Sequence, residues 1–578
     1  MTPPQTDRPT VADIMATHLR AYGIERIYGL CGGHIQPLWD AIVRAGIEIV
    51  DVRHEAAAVY MAHAHSQLTR RVAVALVTAG PGLTNAVTAV SNADVSRVPV
   101  VVLSARTPRP QEGMRAMQDV PQRDIMQAIT RRADAVGHQR HVPDRLLLSL
   151  RAALGAEGPP GPTYLDVPTD VLVETWEGPL PQTPEGPVSL PRMTPDREQV
   201  ERAADAVSTG RRIVVMTGRG VQDYPDALAD LLEVTGGVHL DSAESRGALP
   251  EDHPAQVTGA RGKVMTSADL VITVGRRLDF QLGYGSPAAF TADPQFVRIG
   301  DSEDELAENR SGSAELRGDI GRCLEELSCA LRSRALSPDA DWHTEITGTH
   351  RQRVERLAAK LEAAGSDDEG IDPYALIREV NRIVADDTVT IADGGDILSF
   401  ARVALKAPRY LDCGALGCLG VGIPFAVSAA LNTQASGPVV ALIGDGSFGF
   451  TAMEIDTAVR QSANAVFVVA NNEAWNIERQ DQIDRFESRL VGVDLPGCRY
   501  DLLAQALGAY GEHVSKLADL PAALERAVAS TPAVIDVRVS RNPRSPDLMS
   551  GLAEVPPFQA LVRWNEVEEH VRSATRPR

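Results

Sequence analysis

The chain has 578 residues, of which 44% are hydrophobic and 23% charged, enough to bury several separate cores. Its 57 Lys and Arg against 77 Asp and Glu give a formal net charge of −20, which argues against a nucleic-acid-binding protein. No apolar run approaches the ~20 residues of a membrane helix, and the N-terminus lacks the basic-then-apolar pattern of a signal peptide. The six cysteines form no CxxC pair, which predicts reduced thiols. We therefore expect a soluble, cytoplasmic protein with neither nucleic acid nor membrane as a partner.

The first block of the chain alternates short β-branched apolar runs with longer amphipathic stretches, which is typical of a parallel α/β sheet. Strands are predicted at 24–30, 47–53, 72–80, 98–105 and 162–168. A Pro-rich stretch at 177–195 has too little periodicity for a helix or a strand and is predicted to be a linker. The first domain is therefore expected to cover residues 1–178.

Two further blocks repeat this pattern and predict domains over 196–335 and 371–545. Their predicted strands are 211–220, 267–278, one ending before Asp301, 387–395, 437–446, 464–472 and 533–540. The fold class predicted from this alternation is α/β, with three doubly wound parallel-sheet domains.

A polar segment between the second and third blocks contains a predicted helix at 345–363. The tail, residues 546–578, mixes turn and helix signals, and a candidate helix starts near Pro557. Such a tail is a candidate lid over a substrate cleft, and packing on a neighbouring subunit is the alternative.

Two strand ends in the third block form a candidate metal site. One apolar run ends in Gly444-Asp445-Gly446 and the next ends in Asn471-Asn472. The 27 residues from Asp445 to Asn472 suit a strand–helix–strand unit whose strand ends lie side by side. A carboxylate and an amide oxygen there can hold Mg²⁺ beside a phosphate, and the glycines allow a close approach of the anion. Two ordinary turns are the alternative.

A carboxylate also follows a strand of the first block. Glu55 comes directly after the run 47–53 and opens an apolar helical stretch. By itself, a glutamate at a helix start is explained by a favourable contact with the helix dipole. The next strand ends in a glycine turn, TAGPGLTNAV at 78–87.

Together these residues resemble the signature of thiamine-diphosphate-dependent enzymes over roughly residues 10–545. The resemblance implies Mg²⁺ ligands from the side chains of Asp445 and Asn472 and the backbone oxygen of Ala474. It implies that Glu55 activates the cofactor, and that Leu419, in LDCGALGCLGVGIPFA at 411–426, bends it. The implied cofactor-binding residues are Gly80, Pro81, Asn85, Gly395, Asp396, Leu419, Gly444, Asp445, Gly446, Ser447 and Asn472.

The resemblance also implies an assembly. The domain order is that of the acetolactate synthase branch: pyrimidine-binding, central and diphosphate-binding. In that branch the cofactor lies between the first domain of one subunit and the third domain of its neighbour. We therefore expect a homodimer or a homotetramer.

Several local strings are most similar to oxalyl-CoA decarboxylase and 2-hydroxyacyl-CoA lyase. They are MQDVPQRDIMQAITR at 117–131, RYLDCGALG at 409–417, VGRRLDFQLGYG at 274–285 and the SGL at 550–552. This similarity suggests Gln118 as a polar group facing the substrate, and His34, in the glycine loop LCGGHIQP, as an acid–base group. A solvated Gln and a structural His are the alternatives. Glu473 and Trp475 depart from that branch, so the acyl group is expected to be unusual.

Charged residues at predicted strand ends of the second block are candidates for a nucleotide site. Arg219, Arg276 and Arg277 suit phosphate groups, and Asp301 suits a ribose hydroxyl. The expected ligand is ADP or CoA, with FAD less favoured, and surface charge is the alternative.

The sequence thus predicts a thiamine-diphosphate-dependent carbon–carbon lyase. It would cleave the C1–C2 bond of a 2-hydroxyacyl-CoA, or decarboxylate a 2-oxoacyl-CoA, and release formyl-CoA with an aldehyde or ketone in the first case. The alternatives are an acetolactate-synthase-like carboligase or decarboxylase acting on a 2-oxo acid, and a flavin oxidoreductase like pyruvate oxidase.

Overall fold

Three β-sheets of six, five and six strands form the framework of the chain, and every strand pair within them is parallel. The computed structural model describes residues 8–287, 289–290 and 294–550. Crossover connections, as parallel pairing requires, join successive strands; they contain α-helices except between the strands that end at Val274 and begin at Gln295, where the described residues form a 3₁₀ segment at Phe280–Gly285. The α/β class predicted from the sequence is confirmed.

The first sheet has the strand order β2-β1-β3-β4-β6-β5. Its strands are β1 (Arg26–Gly29), β2 (Glu48–Asp51), β3 (Ala73–Val77), β4 (Val100–Arg106), β5 (Arg132–Ala135) and β6 (Thr163–Pro168). The helices of this domain are α1 (Val11–Ala21), α2 (Gln36–Arg44), α3 (Glu55–Thr69), α4 (Pro81–Thr84), α5 (Val87–Val95), α6 (Gln122–Gln127), α7 (Val142–Ala153) and α8 (Thr169–Leu172).

The central sheet has the order β11-β10-β9-β7-β8. Its strands are β7 (Ile213–Thr217), β8 (Val238–Leu240), β9 (Leu270–Val274), β10 (Gln295–Gly300) and β11 (Ala314–Arg317). Its helices are α9 (Arg197–Thr209), α10 (Pro225–Thr235), α11 (Arg261–Ser267), α12 (Glu303–Ala307) and α13 (Ile320–Leu331). The long helix α14 (Ala340–Ala363) follows and confirms the helix predicted at 345–363.

The third sheet has the order β13-β12-β14-β15-β17-β16. Its strands are β12 (Val389–Asp393), β13 (Arg409–Leu411), β14 (Val439–Gly444), β15 (Ala465–Asn471), β16 (Tyr510–Val514) and β17 (Ala533–Arg538). Its helices are α15 (Pro373–Asn381), α16 (Asp396–Ala404), α17 (Gly422–Asn432), α18 (Asp445–Thr451), α19 (Glu454–Arg460), α20 (Asn476–Arg485), α21 (Tyr500–Ala506), α22 (Leu520–Val528) and α23 (Pro546–Ser550).

The strands predicted from continuous apolar runs are the inner strands of the sheets, together with the edge strand β2. All residues of β3 and β15 are buried, as expected for strands covered by helices on both faces. The strands without a prediction, β5, β8, β11, β13 and β16, all lie at sheet edges. They have only three to five residues, and β5 and β16 are largely half-buried, so their apolar signal is weak.

The first and third domains pack against each other through α3 and α17. The ring of Tyr60 meets the ring of Phe425 edge to face, with centroids 6.3 Å apart. Ser428 donates a hydrogen bond of 2.7 Å to the backbone oxygen of Met61. Tyr60, Met61 and Phe425 belong to one continuous apolar cluster, so the helix that begins at Glu55 is fixed by the third domain.

The segments between and after the sheets follow the predicted pattern where the structure describes them. Residues 177–195 form neither helix nor strand, as expected of a linker. All six cysteines are free. The part of the chain covered by the structure has no helix long and apolar enough to cross a membrane. The candidate lid helix near Pro557 lies outside the described residues, so it stays a prediction.

Candidate active site

Three neighbouring strands of the third sheet end in polar residues at one edge. β12 is followed by a Gly-Gly pair and Asp396, β14 by Asp445, and β15 by Asn472. β14 pairs with β12 on one side and with β15 on the other. The three side chains therefore emerge together at the carboxyl edge of the sheet, where α/β folds place their sites.

Asp445 and Asn472 converge on one turn. Both side chains are buried, with 3% and 7% exposure. Burial raises the pKa of Asp445 to about 7, and the backbone N–H groups of residues 446, 473 and 474 oppose that rise. Asn472 Oδ1 accepts a hydrogen bond of 3.1 Å from the backbone N–H of Ala474. The carboxylate and the amide thus face the same backbone turn, and carboxylate, amide and carbonyl oxygens are the donor types that could hold Mg²⁺ here.

Aromatic side chains fix the glycine turn around Asp445. A Cβ at Gly446 would lie 2.4 Å from a ring carbon of Trp475, so only glycine fits beneath this ring. The hydroxyl of Tyr500 donates to the backbone oxygen of Asp445 at 3.2 Å. The sequence marks Trp475 only as a departure from the lyase branch and gives no signal for Tyr500, which meets Asp445 from 55 positions away.

Ser447 connects the glycine turn to the loop that carries Leu419. Its hydroxyl donates to Asp393 Oδ1 at 2.6 Å, and Asp393 Oδ2 accepts from the N–H groups of Gly420 at 3.0 Å and Gly422 at 2.8 Å. Burial raises the pKa of Asp393 to about 6. Leu419 is half-buried in this loop. Asp393 is not among the predicted site residues, because its only signal in the sequence is its position directly before the Gly-Gly pair.

In the first domain, Glu55 and the glycine turn come together. Glu55 is the first residue of α3 and is buried. Its Oε2 accepts a hydrogen bond of 2.9 Å from Asn85 Nδ2. A Cβ at Gly82 would lie 3.4 Å from Glu55 Oε1. The turn that begins at Gly80 and Pro81 therefore lies directly against the glutamate.

The segment that carries Gln118 folds back over the same turn. Gln118 has a left-handed backbone, with φ of 63°, and is half-exposed. A Cβ at Gly80 would lie 2.7 Å from the backbone oxygen of Gln118, so glycine permits this close approach. The N–H of Gly80 donates to Oε1 of the buried Gln122 at 2.8 Å. Gln122 thus fixes the turn. No motif in the sequence marks it as a site residue.

His34 lies in a short 3₁₀ turn after β1. Its ring Nδ1 is buried and has no hydrogen-bond partner among the residues that the structure describes. The residue as a whole is half-exposed, and its backbone oxygen accepts from Thr169 Oγ1 at 3.2 Å. The backbone of the loop is held in place, while one ring nitrogen has no protein partner.

Within one chain these residues form two separate groups. Among the described residues, no hydrogen bond or ion pair joins the group of Glu55, Asn85 and Gln118 to that of Asp445 and Asn472. Glu454 of the third domain instead reaches the loop before Glu55, where it accepts from the N–H groups of residues 53 and 54 at 3.0 and 3.1 Å.

In the central domain, the predicted nucleotide residues are paired with carboxylates. Arg219 makes two hydrogen bonds to Asp301, at 2.8 and 2.7 Å, and Arg277 makes two to Glu308, at 3.0 and 2.8 Å. Arg276 is bound by Asp279 in the same way, at 2.9 and 3.1 Å. Arg219 and Asp301 line a cavity of about 500 Å³ where the three domains meet.

Comparison with known proteins identifies each domain. Residues 9–128 match the thiamine pyrophosphate enzyme N-terminal TPP binding domain, residues 200–327 the central domain, and residues 394–537 the C-terminal TPP binding domain. A probable acetolactate synthase of Mycobacterium bovis is 33% identical over 538 residues, covering 91% of this chain and 94% of the relative. The 2-hydroxyacyl-CoA lyase 2 of Homo sapiens is 30% identical over 546 residues, covering 87% of this chain and 84% of the relative.

The sheets, their strand-end residues and these matches define a cofactor-dependent enzyme of three α/β domains. The chain belongs to the thiamine pyrophosphate enzyme family and is related to both acetolactate synthases and 2-hydroxyacyl-CoA lyases.

Proposed function

We propose that the protein is a lyase that cleaves the C1–C2 bond of a 2-hydroxyacyl-CoA, giving formyl-CoA and an aldehyde or ketone. The same site would remove CO₂ from a thioester whose C2 is a carboxylate, as in oxalyl-CoA. Similarity to relatives named 2-hydroxyacyl-CoA lyase 2 supports this reaction. The observation in the site that carries the proposed acid–base step is His34, whose buried ring Nδ1 has no partner in the described part of the chain.

The chemistry of the cleavage explains why His34 matters. Bound thiamine diphosphate supplies an electron sink next to the carbonyl carbon, C1. When the C1–C2 bond breaks, its electron pair stays with C1, and C2 becomes the carbonyl carbon of the released aldehyde or ketone. The proton of the C2 hydroxyl must then leave, which requires a nearby base. His34 Nδ1 can take that proton, and a proton delivered to C1 completes formyl-CoA. Loss of CO₂ from a 2-oxo acid needs no such base.

The proposed ligands of the cofactor are the residues gathered at the third sheet and at the glycine turn. Asp445, Asn472 and the backbone oxygen of Ala474 would hold Mg²⁺ on the diphosphate, since their donor atoms face one turn. Glu55 would bind the aminopyrimidine ring, and Leu419 would support the bent cofactor. Gln118, above the glycine turn, would face the substrate.

We propose a homodimer as the minimal active unit, with a tetramer as a pair of dimers. The separation of the Glu55 group from the Asp445 group within one chain supports a site completed by a second subunit.

A nucleotide in the central domain remains a prediction, and the contacts limit its form. A diphosphate bound by Arg219 would have to displace Asp301, and one bound by Arg277 would have to displace Glu308. Fewer arginine guanidinium groups are therefore available to bind the phosphates of ADP or CoA than the sequence alone suggests.

A product assay tests the proposed reaction. Purified protein with thiamine diphosphate and Mg²⁺ is incubated with a panel of 2-hydroxyacyl-CoA thioesters, 2-oxoacyl-CoA thioesters and 2-oxo acids, and the products are identified by mass. Formyl-CoA from a 2-hydroxyacyl-CoA is the expected result. Acetolactate from pyruvate, with no thioester turned over, would replace the lyase with the carboligase alternative, which the acetolactate synthase relatives favour.

A His34→Asn variant tests the proton transfer. We expect it to lose about 10²–10⁴-fold in C1–C2 cleavage, the usual contribution of a general base, while cofactor binding is unchanged. Decarboxylation of oxalyl-CoA should fall much less, because it needs no hydroxyl base. His138→Asn, an exposed capping histidine in the same domain, is the matched control. Equal losses in both reactions would contradict the role of His34 as the base.

A further inference from the structure

Asp396 lies against the loop that carries Asn472. It is the first residue of α16, directly after the Gly-Gly pair at the end of β12. Its Oδ2 accepts two hydrogen bonds from side-chain amides, one from Asn472 Nδ2 at 3.4 Å and one from Asn476 Nδ2 at 3.0 Å. A single carboxylate oxygen thus holds two asparagines of the turn that follows β15.

This contact fixes which atom of the Asn472 amide faces the Mg²⁺ position. An asparagine side chain has a nitrogen that only donates and an oxygen that only accepts, and only the oxygen can bind a cation. Because Asn472 Nδ2 points to Asp396, its Oδ1 points to the opposite side, towards the turn at Ala474 on which Asp445 also converges. Without an acceptor at Asp396, the two orientations of the amide would be closer in energy.

An unpaired acceptor beside this contact supports a cation at this edge of the sheet. Asn476 Oδ1 is buried and has no hydrogen-bond partner among the described residues, whereas Asp396 also has the Ser545 hydroxyl beside it. Asn476 is only 2% exposed, and its Nδ2 is occupied by Asp396 and by the backbone oxygen of Arg541. Buried oxygens without donors are costly unless a positive group or a ligand donor satisfies them.

We propose that Asp396 is a positioning residue for the metal: it holds the Asn472 amide in the single orientation that presents Oδ1 to Mg²⁺. Losing a carboxylate that holds a metal ligand in place usually lowers metal affinity by about 10–100-fold. The inference rests on the proposed Mg²⁺ site, but it does not depend on which acyl substrate the enzyme uses.

The test measures Mg²⁺ binding at saturating thiamine diphosphate, with no acyl substrate present. Trp475 packs over Gly446, so its fluorescence can report occupation of the site, and Mn²⁺ paramagnetic resonance gives an independent affinity. We expect Asp396→Ala to weaken Mg²⁺ binding at least tenfold. Asp396→Asn keeps an acceptor oxygen and should stay within about threefold of the unmodified protein. The serine side chain of Asp396→Ser is too short to reach the two amides, so this variant should behave like Asp396→Ala. It takes the place of Asp396→Ala if that variant does not fold.

A double-mutant cycle shows whether the effect passes through Asn472. In an Asn472→Ala background, Asp396→Ala should cost little further Mg²⁺ affinity, because there is no amide left to orient. Asp372→Ala removes another aspartate at a helix start of the same domain and is the matched control. It should lower thermal stability without changing the Mg²⁺ dissociation constant.

Three outcomes would overturn the role of Asp396: unchanged Mg²⁺ affinity in Asp396→Ala, equal losses in Asp396→Ala and Asp396→Asn, or fully additive losses in the cycle. Failure of the unmodified protein to bind Mg²⁺ and thiamine diphosphate would instead contradict the metal site itself. Normal binding without thioester cleavage would contradict only the proposed substrate.

Discussion

The carboxylate of Glu55 and the side-chain amide of Asn85 are joined by a hydrogen bond of 2.9 Å, which links the start of α3 to the glycine turn after β3. The bond occupies Oε2. Among the residues that the structure describes, none donates to Oε1, which faces Gly82 across the turn. One oxygen is thus held by the protein while the other can bind a ring nitrogen of the cofactor.

Replacing Glu55 by Gln should leave folding and Mg²⁺ binding intact and lower turnover by about 10²–10⁴-fold, because proton transfer requires the carboxyl group. Steady-state rates and thiamine diphosphate binding measure the two effects separately. Glu48→Gln, an exposed glutamate on β2, should have normal activity. Turnover close to normal in Glu55→Gln would remove the catalytic role.

The contact between the first and third domains should respond to pH through Glu454. Burial raises the pKa of this carboxyl group to about 7, although Thr457 and the backbone of residues 53 and 54 donate to it. Because the folded state keeps the proton up to about pH 7 and the unfolded state loses it near the ordinary value of 4.5, the group favours folding below pH 4.5. That stabilisation is lost as the pH rises through the folded pKa.

The expected result is a fall in the free energy of unfolding between pH 4.5 and 7, approaching 1.4 kcal/mol per pH unit for one proton. Glu454→Gln cannot ionise, so its stability should change less over this window. Denaturant midpoints at several pH values, with Glu525→Gln on the exposed face of α22 as the control, measure the difference. Parallel pH curves for Glu454→Gln and the unmodified protein would exclude this group as the source.

A second subunit is expected to cover the apolar surface beside the glycine turn. Phe450 is 63% exposed and Met453 is 43% exposed, and both follow Asp445 along the chain. Such side chains usually mark an interface when they lie beside a functional site. We expect Phe450→Asp to shift the protein towards a monomer and to lower its activity in proportion, as measured by light scattering and turnover. Val354→Asp changes an apolar residue of α14 that is 47% exposed, and it should alter neither the assembly nor the activity. An active monomer would contradict the shared site.

Truncating the tail should slow the turnover of large substrates more than that of small ones. The contacts of the residues before 551 indicate where the truncation should be made. Residues before 551 pack on the third domain: Leu548 is buried, and the N–H of Asp547 donates to Ser399 Oγ at 2.8 Å. A truncation after Ser540 would therefore remove contacts of α16 as well as the candidate lid. Truncation after Ser550 should keep the fold and cofactor binding but slow turnover of a CoA thioester several-fold more than that of a 2-oxo acid. Equal effects on both substrates would contradict a lid.

The sequence predicts the structural features that are set by residues close to one another along the chain. Long apolar runs identify the inner strands, and the position of Asp445 and Asn472 after two of them predicts that the side chains meet at one edge. Edge strands such as β5 and β16 are short and half-exposed, so they carry no comparable signal.

Contacts between distant residues were not predictable in the same way. Gln122 binds the backbone of Gly80 from 42 positions away, and Glu454 reaches residues 53 and 54 from about 400 positions away. No periodicity or motif relates such pairs, because their meeting depends on how the domains dock.

The packing of α3 on α17 has a consequence for how the chain comes apart. Val59 of the first domain and Phe425 of the third lie in one apolar cluster, whereas the two clusters of the central domain contain only residues between 200 and 346. Elements that share a core tend to unfold together, and those with separate cores can melt on their own. A calorimetric scan of this three-sheet chain should therefore resolve two cooperative units, with the outer domains melting as one.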